Sequence, residues 1–212
     1  MFLDPKIDQY VVAHSEDEPQ LLQELTRETW LKVMNPRMLA GHLQGRTLSM
    51  LSHMVKPQTI LEIGTFTGYS AICLAEGLVE NGKLITIDIN EELETFAKKY
   101  FFRAGLENTI EQRIGDANKI ILELNEELDL VFIDADKSNY AAYYDLVFPM
   151  LKTGGYIIAD NVLWSSKILE QYEKCDIDTK AIIDFNKKVQ ADERVQNVLF
   201  PIRDGIQVLR KK

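Results

Sequence analysis

The sequence has few of the residues from which disulfide frameworks and zinc sites are built. Its 212 residues include two cysteines, Cys73 and Cys175, and three histidines. The two cysteines lie far apart and lack the spacing of metal ligands or of a disulfide framework. No signal-peptide pattern precedes Asp4-Pro5. We therefore expect a protein of the reducing cytoplasm.

Long apolar runs and an excess of basic charge are also lacking. No apolar run approaches the ~20 residues of a membrane-spanning helix, so we expect no membrane association. The formal net charge is −9 and the isoelectric point is about 4.9. Binding along DNA or RNA needs clustered lysine and arginine, so this acidic balance argues against an extended nucleic-acid surface. The hydrophobic content of 46% is typical of a globular protein.

Strand and helix patterns alternate from Thr59 onward, after an N-terminal part that has helical periodicity. This alternation indicates βα units, and hence an α/β fold with a mostly parallel sheet covered by helices on both faces. The length predicts a single domain, residues 1–212, with a helical N-terminal extension (1–56) and a core (57–212). The predicted strands are 59–63, 84–87, 110–114, 128–133, 156–159, 196–200 and 207–209, and the predicted helices are 6–15, 18 onward, 41–54, 70–79, 91–104, 117–124, 140–148 and 179–191.

Two of the predicted strands end in acidic residues. Asp134 follows one apolar run, and Asp160 and Asn161 follow the next. If the two strands are neighbours, these side chains converge at the carboxyl edge of the sheet, where open α/β folds bind ligands. Three oxygen donors without histidine or cysteine suit a hard cation such as Mg²⁺ rather than zinc. Lys137 is close enough to act on a ligand of that cation. The alternative, that the acids merely cap the following helices, stays open.

A glycine-containing loop joins the first predicted strand to its helix. Gly64 and Gly68 would let the backbone approach a ligand, and the helix start offers free N–H groups to an anion. The spacing G-x-x-x-G does not meet the dinucleotide fingerprint G-x-G-x-x-G. Asp88, at the end of the second strand, is placed to accept both hydroxyls of a ribose, as in NAD and S-adenosylmethionine sites. A tight turn with a helix cap would explain the glycines but not Glu62 and Asp88 together.

Three stretches closely resemble the cation-dependent O-methyltransferases, the group of caffeoyl-CoA and catechol O-methyltransferases and their bacterial relatives. The stretches are Glu62-Ile-Gly-Thr-Phe-Thr-Gly-Tyr-Ser70, Ile133-Asp-Ala-Asp-Lys-Ser-Asn-Tyr140 and Gly154-Gly-Tyr-Ile-Ile-Ala-Asp-Asn-Val-Leu-Trp164. The resemblance implies a Rossmann-like class I methyltransferase fold with seven strands, the last of them antiparallel. It also implies S-adenosylmethionine, a divalent cation (Mg²⁺, with Mn²⁺ or Ca²⁺ as alternatives) and a homodimer.

The resemblance also implies roles for individual residues. Asp134, Asp160 and Asn161 match the metal ligands, and Lys137 matches the proposed general base, with Asp134 beside it in catalysis. Trp164 and Lys137 match residues beside a phenolic substrate. The residues that match cofactor contacts are Met38, Ala40, Glu62, Gly64, Ser70, Asp88, Asp116, Ala117 and Asp134. In the family these contacts place the ribose on Asp88, the methionine carboxylate on Ser70 and the adenine on the Asp116-Ala117 turn.

Three functions therefore remain in competition. The first is methylation of a hydroxyl on a catechol-type small molecule, which ionises more readily when both of its hydroxyls bind a cation. The second is methylation of 5-hydroxyuridine in tRNA by the same chemistry, against which the acidic charge argues. The third is a nucleotide-binding protein without catalysis, against which the missing third glycine and the acidic strand ends argue. The chain has no long insertion or basic cluster to receive coenzyme A.

Overall fold

The computed structural model describes residues 5–212, so Met1–Asp4 of the predicted N-terminal extension lie outside the described residues. Three helices precede the first strand, and helices then alternate with strands. The division of the chain at residues 56 and 57 stays a prediction. The α-helices are α1 (Pro5–Ala13), α2 (Gln20–Lys32), α3 (His42–Val55), α4 (Tyr69–Ala75), α5 (Glu94–Arg103), α6 (Ala117–Glu123), α7 (Tyr140–Val147) and α8 (Ile177–Ala191).

Within the described residues, seven strands form one sheet. They are β1 (Thr59–Ile63), β2 (Lys83–Asp88), β3 (Ile110–Ile114), β4 (Leu128–Ile133), β5 (Leu151–Asp160), β6 (Val195–Phe200) and β7 (Ile206–Lys211). The strand order is β3-β2-β1-β4-β5-β7-β6. Strands β1 to β5 pair in parallel, whereas β7 runs antiparallel to both of its neighbours. The predicted seven-stranded, mostly parallel sheet with an antiparallel last strand is confirmed.

Apolar side chains cover both faces of the sheet because alternate residues of a strand point to opposite faces. All five residues of β1 are buried. Leu61 and Ile63 pack into the cluster under α6, α7 and α8. Ile60 points the other way and joins the cluster under α2 to α5. This two-sided burial is why the strands read as continuous apolar runs rather than alternating patterns. Within residues 5–212, no helix is long and apolar enough to span a membrane.

The largest departure from the predicted boundaries concerns β5. The sequence predicted a strand over residues 156–159, but β5 begins at Leu151, which pairs with Leu128 of β4. Gly154 has a positive φ of 84°, and the pairing register shifts between Leu128 and Leu130, so the first part of the strand is irregular. Helix α4 is shorter than predicted, and a separate 3-10 turn, Glu91–Leu93, precedes α5.

The strand order brings the acidic strand ends together. Strands β1, β4 and β5 are consecutive neighbours, so Gly64, Asp134 and Asp160 lie along one carboxyl edge. Strands β1 and β4 flank the point at which the order of the sheet reverses, where open α/β sheets bind ligands. The turn between β6 and β7 reaches the same edge, because the N–H of Leu163 donates to the carbonyl of Asp204 at 2.9 Å.

Candidate active site

A cleft of about 1230 Å³ lies over the carboxyl edge of the sheet. Loops that follow β1 to β5 form its floor, and the 3-10 turn Pro36–Met38 and the turn between β6 and β7 form part of its rim. Every predicted site residue except Glu62 lines it: Met38, Ala40, Gly64, Ser70, Asp88, Asp116, Ala117, Asp134, Lys137, Asp160, Asn161 and Trp164. The structure therefore brings almost the whole predicted set into one cavity.

The three predicted metal ligands form one wall of this cleft. Asp160 is only 3% exposed, and burial together with the nearby charge of Asp134 raises the pKa of its carboxyl to about 7. Asn161 adopts a left-handed backbone with φ 58°, and its side-chain amide makes no hydrogen bond within the described residues. No cluster of three His, Cys, Asp or Glu side chains in residues 5–212 is arranged to hold a metal ion. The predicted ligand set is instead two carboxylates and one amide.

A buried glutamine holds the carboxylate of Asp160. The Nε2 of Gln44 donates to Asp160 Oδ2 at 2.5 Å, and the N–H of Asn161 donates to Oδ1 at 2.8 Å. Arg203 in turn donates to Gln44 Oε1 at 2.6 Å. Gln44 is 1% exposed and has no freedom to leave this chain of contacts. Neither Gln44 nor Arg203 was among the predicted site residues.

Lys137 lines the same wall but is almost completely buried, since only 7% of its surface is exposed. Its Nζ is 3.1 Å from Asp134 Oδ1 and 2.6 Å from the hydroxyl of Tyr140. The hydroxyl of Tyr140 in turn donates a hydrogen bond to the backbone carbonyl of Asp160 at 3.0 Å. The Lys137 Nζ also lies 4.7 Å from the centre of the Tyr140 ring and 5.7 Å from that of Trp164. These contacts fix the amine next to the acidic wall.

Asp136, one residue before Lys137, directs its carboxylate to other side chains. It accepts hydrogen bonds from Tyr143 at 2.6 Å and from Asn139 and Ser138 in the following turn. The carboxylate beside Lys137 is therefore Asp134, three residues earlier. The sequence reasoning did not identify Tyr140 as a site residue. Tyr140 lies one turn after Lys137, and this i to i+3 spacing at the start of a helix is the signal that could have indicated their contact.

Asp88 organises the part of the cleft that is predicted to hold the nucleoside. Its Oδ2 accepts from the N–H of Phe66 at 2.7 Å, and its Oδ1 accepts from the N–H of Asn90 at 2.8 Å. These bonds hold the loop after β1 against the end of β2. Asp116 caps the start of α6, because its Oδ1 accepts from the N–H of Asn118 at 3.0 Å. The Asp116-Ala117 turn lines the same cleft as Asp88, and the contacts of these three residues with a cofactor stay a prediction.

Gly64 has a structural role in addition to the one predicted. Its φ is +107°, and a Cβ at this position would collide with the backbone carbonyl of Asp134. Glycine is thus required at position 64 because the backbone of Asp134, at the end of β4, lies directly against it. This close approach allows the N–H of Asp134 to donate to the carbonyl of Ile63 at 2.8 Å. Gly64 still lines the cleft, and its contact with a cofactor stays a prediction.

Glu62 lies beneath the cleft and has no exposed surface. Its Oε2 accepts a hydrogen bond from Thr86 at 2.5 Å, whereas Oε1 has no partner within the described residues. Complete burial raises the pKa of this carboxyl to about 8, a rise that hydrogen bonds from Ser70 and Thr86 only partly offset. Glu62 therefore supports the floor of the cleft through Thr86, whose hydroxyl also lies 2.5 Å from that of Thr65 in the cleft lining, and direct contact with a cofactor stays a prediction.

Comparison with known proteins gives a consistent result. A family model described as O-methyltransferase matches residues 12–212. A probable caffeoyl-CoA O-methyltransferase 2 of Dictyostelium discoideum is 31% identical over 207 residues, which are 95% of this chain and 90% of that protein. Caffeoyl-CoA O-methyltransferase 2 of Populus trichocarpa is 32% identical over 96% of this chain and 87% of its own. An O-methyltransferase from Bacillus cereus, solved in complex with SAH, is 28% identical with a TM-score of 0.90, covering 98% of this chain and 97% of its own.

The sheet order and the cleft at its carboxyl edge define a class I S-adenosylmethionine-dependent methyltransferase. The chain belongs to the O-methyltransferase family whose model it matches, and it is an S-adenosylmethionine-dependent O-methyltransferase. The resemblance stated from the sequence motifs is confirmed at this level.

Proposed function

We propose that this protein transfers a methyl group from S-adenosylmethionine to a hydroxyl of a catechol-type small molecule, and that the reaction depends on a divalent cation. The observation that carries the proposal is the wall formed by Asp134, Asp160 and Asn161, with the Lys137 amine 3.1 Å from Asp134. Relatives named as caffeoyl-CoA O-methyltransferases support an aromatic acceptor.

The donor set fits a hard cation. Asp134 and Asp160 are close enough for the charge of the first to raise the pKa of the second, and the free amide of Asn161 lines the same wall. Two carboxylates and a carbonyl oxygen match the ligands preferred by Mg²⁺ or Mn²⁺. A cation held there would supply Lewis acidity that favours the ionised form of an adjacent phenol.

The remaining steps belong to the side chains of the protein. In its neutral form Lys137 takes the proton of the acceptor hydroxyl, and its Nζ is placed for this role beside Asp134 in the wall of the cleft. Tyr140 holds that amine from behind through the 2.6 Å contact. The Trp164 ring, 5.7 Å from the same amine, offers a flat apolar surface for the aromatic acceptor. Together they aim one oxygen at the methyl group, and such positioning can supply about 7–11 kcal/mol of a barrier.

The test is methyl transfer from labelled S-adenosylmethionine to a panel containing caffeate, the monophenol that lacks one hydroxyl, and tRNA with 5-hydroxyuridine. We expect turnover of caffeate that stops on exhaustive chelation with EDTA and returns with Mg²⁺ or Mn²⁺. Asp160→Ala should abolish this activity. Asp145→Asn is the matched control, because Asp145 pairs with Lys188 on the surface away from the cleft.

Three outcomes would contradict the proposal. Full turnover of caffeate after complete chelation would remove the cation from the mechanism. Turnover of the hydroxylated tRNA without turnover of any small dihydroxyaromatic would assign the acceptor to RNA instead. Equal rates for caffeate and its monophenol would also contradict it, because a site that holds two hydroxyls discriminates strongly against the loss of one.

A further inference from the structure

Arg203 brings a guanidinium group to the acceptor side of the cleft. It stands in the turn between β6 and β7, with a left-handed backbone (φ 50°). Arg203 is an exposed residue that lines the cleft, and its hydrogen bond to Gln44 is partly buried. The side chain of Arg203 extends to the loop before α3. Its Nη1 would lie 4.0 Å from a Cβ built on Gly41 in that loop.

The turn that carries Arg203 is fastened to the segment that carries Asn161 and Trp164. The N–H of Val162 donates to the carbonyl of Gly205 at 3.2 Å. The N–H of Ser165 donates to the carboxylate of Asp204 at 2.6 Å. Arg203 is thus held at a fixed place relative to the wall against which the aromatic acceptor is proposed to bind.

The positive charge of Arg203 lacks an anionic partner. Its single hydrogen bond within the described residues goes to the neutral amide oxygen of Gln44, at 2.6 Å, and no carboxylate in residues 5–212 forms an ion pair with it. Of the other cationic residues that line the cleft, Lys137 contacts Asp134 and Lys32 contacts Glu28, whereas Arg37 lies on the rim in the 3-10 turn and does not contact Gln44 beside the acidic wall. A guanidinium carries five donors in a planar fork, so most of the hydrogen-bonding capacity of Arg203 is available to a ligand.

We propose that Arg203 binds a carboxylate on the acceptor, so that the substrate class of this enzyme is dihydroxyaromatic acids. The inference rests on the proposed function and specifies its acceptor further. A planar carboxylate accepts two parallel hydrogen bonds from a guanidinium, and such pairs are about twice as strong as neutral ones. The Gln44 contact holds Arg203 in place, so the fork is oriented before the ligand arrives.

The test compares two acceptors that share the reacting ring, 3,4-dihydroxybenzoate and its uncharged methyl ester. We expect the wild-type protein to favour the acid by about ten- to hundredfold in kcat/KM, the range of hydrogen bonds to charged groups. Arg203→Met should remove this preference, and Arg203→Lys should keep part of it. Arg210→Met is the matched control and should keep all of it, because Arg210 also bonds a glutamine, Gln196, but lies outside the cleft.

The ratio of kcat/KM for the acid to that for the ester separates two roles of Arg203. One is recognition of the carboxylate of the acceptor, and the other is support of Asp160 through Gln44. If Arg203 only supported Asp160, Arg203→Met would lower both rates equally, and this result would overturn the inference. So would an unchanged ratio accompanied by weaker binding of S-adenosylmethionine, which would assign Arg203 to the cofactor. Calorimetry with the protein saturated with S-adenosylhomocysteine should show the same acid preference in Kd.

The same data separate this inference from the proposed function. Equal turnover of acid and ester by the wild-type protein would refute the role of Arg203 and leave catechol methylation standing. Absence of turnover and of binding for both acceptors would refute the proposed function, and the inference with it.

Discussion

The burial of Glu62 leads to a pH dependence of stability that can be measured directly. Its carboxyl has no exposed surface and an unpartnered Oε1, and burial raises its pKa from 4.5 to about 8. A group with a raised pKa in the folded protein binds its proton more tightly when folded. Its stabilising contribution is therefore complete below pH 4.5 and is lost as the pH rises from 4.5 to about 8.

The size of this loss follows from the pKa difference. From 4.5 to about 8 is roughly 3.5 pH units, and at 1.36 kcal/mol for each unit the upper limit is about 5 kcal/mol. Glu62→Gln removes the titration while keeping the shape. The new amide nitrogen would stand where Oε1 has no partner, which costs about 1–3 kcal/mol at every pH. The variant should thus be less stable than the wild type at pH 5 and more stable at pH 9.

Urea unfolding of the cofactor-free proteins at pH 5, 6, 7, 8 and 9 measures this reversal in the relative stability of wild type and variant. The difference in unfolding free energy between wild type and Glu62→Gln should change in favour of the variant by up to about 4 kcal/mol over that range. Other titrating groups are present in both proteins and cancel in the difference. Parallel curves for the two proteins would refute the reasoning, because they would show that Glu62 does not change its protonation on folding.

Three further predictions concern single side chains around the cleft. Lys137→Met should lower kcat more than it raises KM, and the loss should shrink at high pH as the phenol ionises unaided; an equal loss at all pH values would indicate positioning instead. Asp88→Ala should weaken S-adenosylmethionine binding by about 1.5–3 kcal/mol in calorimetry, and an unchanged affinity would move the ribose site elsewhere. Ser166 has φ 67°, so Ser166→Val should be less stable to urea than Ser166→Gly by about 1–2 kcal/mol, whereas equal stability would contradict the left-handed conformation.

The acidic wall could be predicted because it depends on local pattern and strand neighbours alone. Asp134 and Asp160 each end an apolar run, and parallel strands that are adjacent place such residues side by side. The strand bounds of β1, β3 and β4 agree with the sequence pattern for the same reason: continuous apolar runs between turn residues are distinctive.

The support of that wall could not be predicted, because it comes from distant parts of the chain. Gln44 contacts Asp160 across 116 positions and Arg203 across 159. Gln44 lies in a helix whose pattern indicated only an amphipathic face, and Arg203 stands in a turn that predicted no function. The direction of a side chain in a tight turn is equally hidden: the sequence does not show that Asp134 contacts Lys137 while Asp136 contacts Tyr143.

The irregular segment after β5 was also missed. Trp164, Ser165 and Ser166 all have positive φ, of 46°, 53° and 67°. Serine and tryptophan carry no preference for that conformation, so local propensity gave no signal. Tertiary contacts hold the segment instead, including the bond from the N–H of Ser165 to Asp204 at 2.6 Å. Strain of this kind is often found beside functional sites, and here it sets the position of the Trp164 ring.

The central claim is that this cleft ionises a dihydroxyaromatic acceptor with the help of a divalent cation and the acidic wall. Ultraviolet difference spectroscopy of 3,4-dihydroxybenzoate with the protein and S-adenosylhomocysteine at neutral pH tests it without turnover. We predict that the absorption band of the ionised phenol appears on addition of Mg²⁺, disappears with EDTA and is absent for Asp160→Ala. An ionised band of equal intensity after complete chelation, or no band under any of these conditions, would contradict the account.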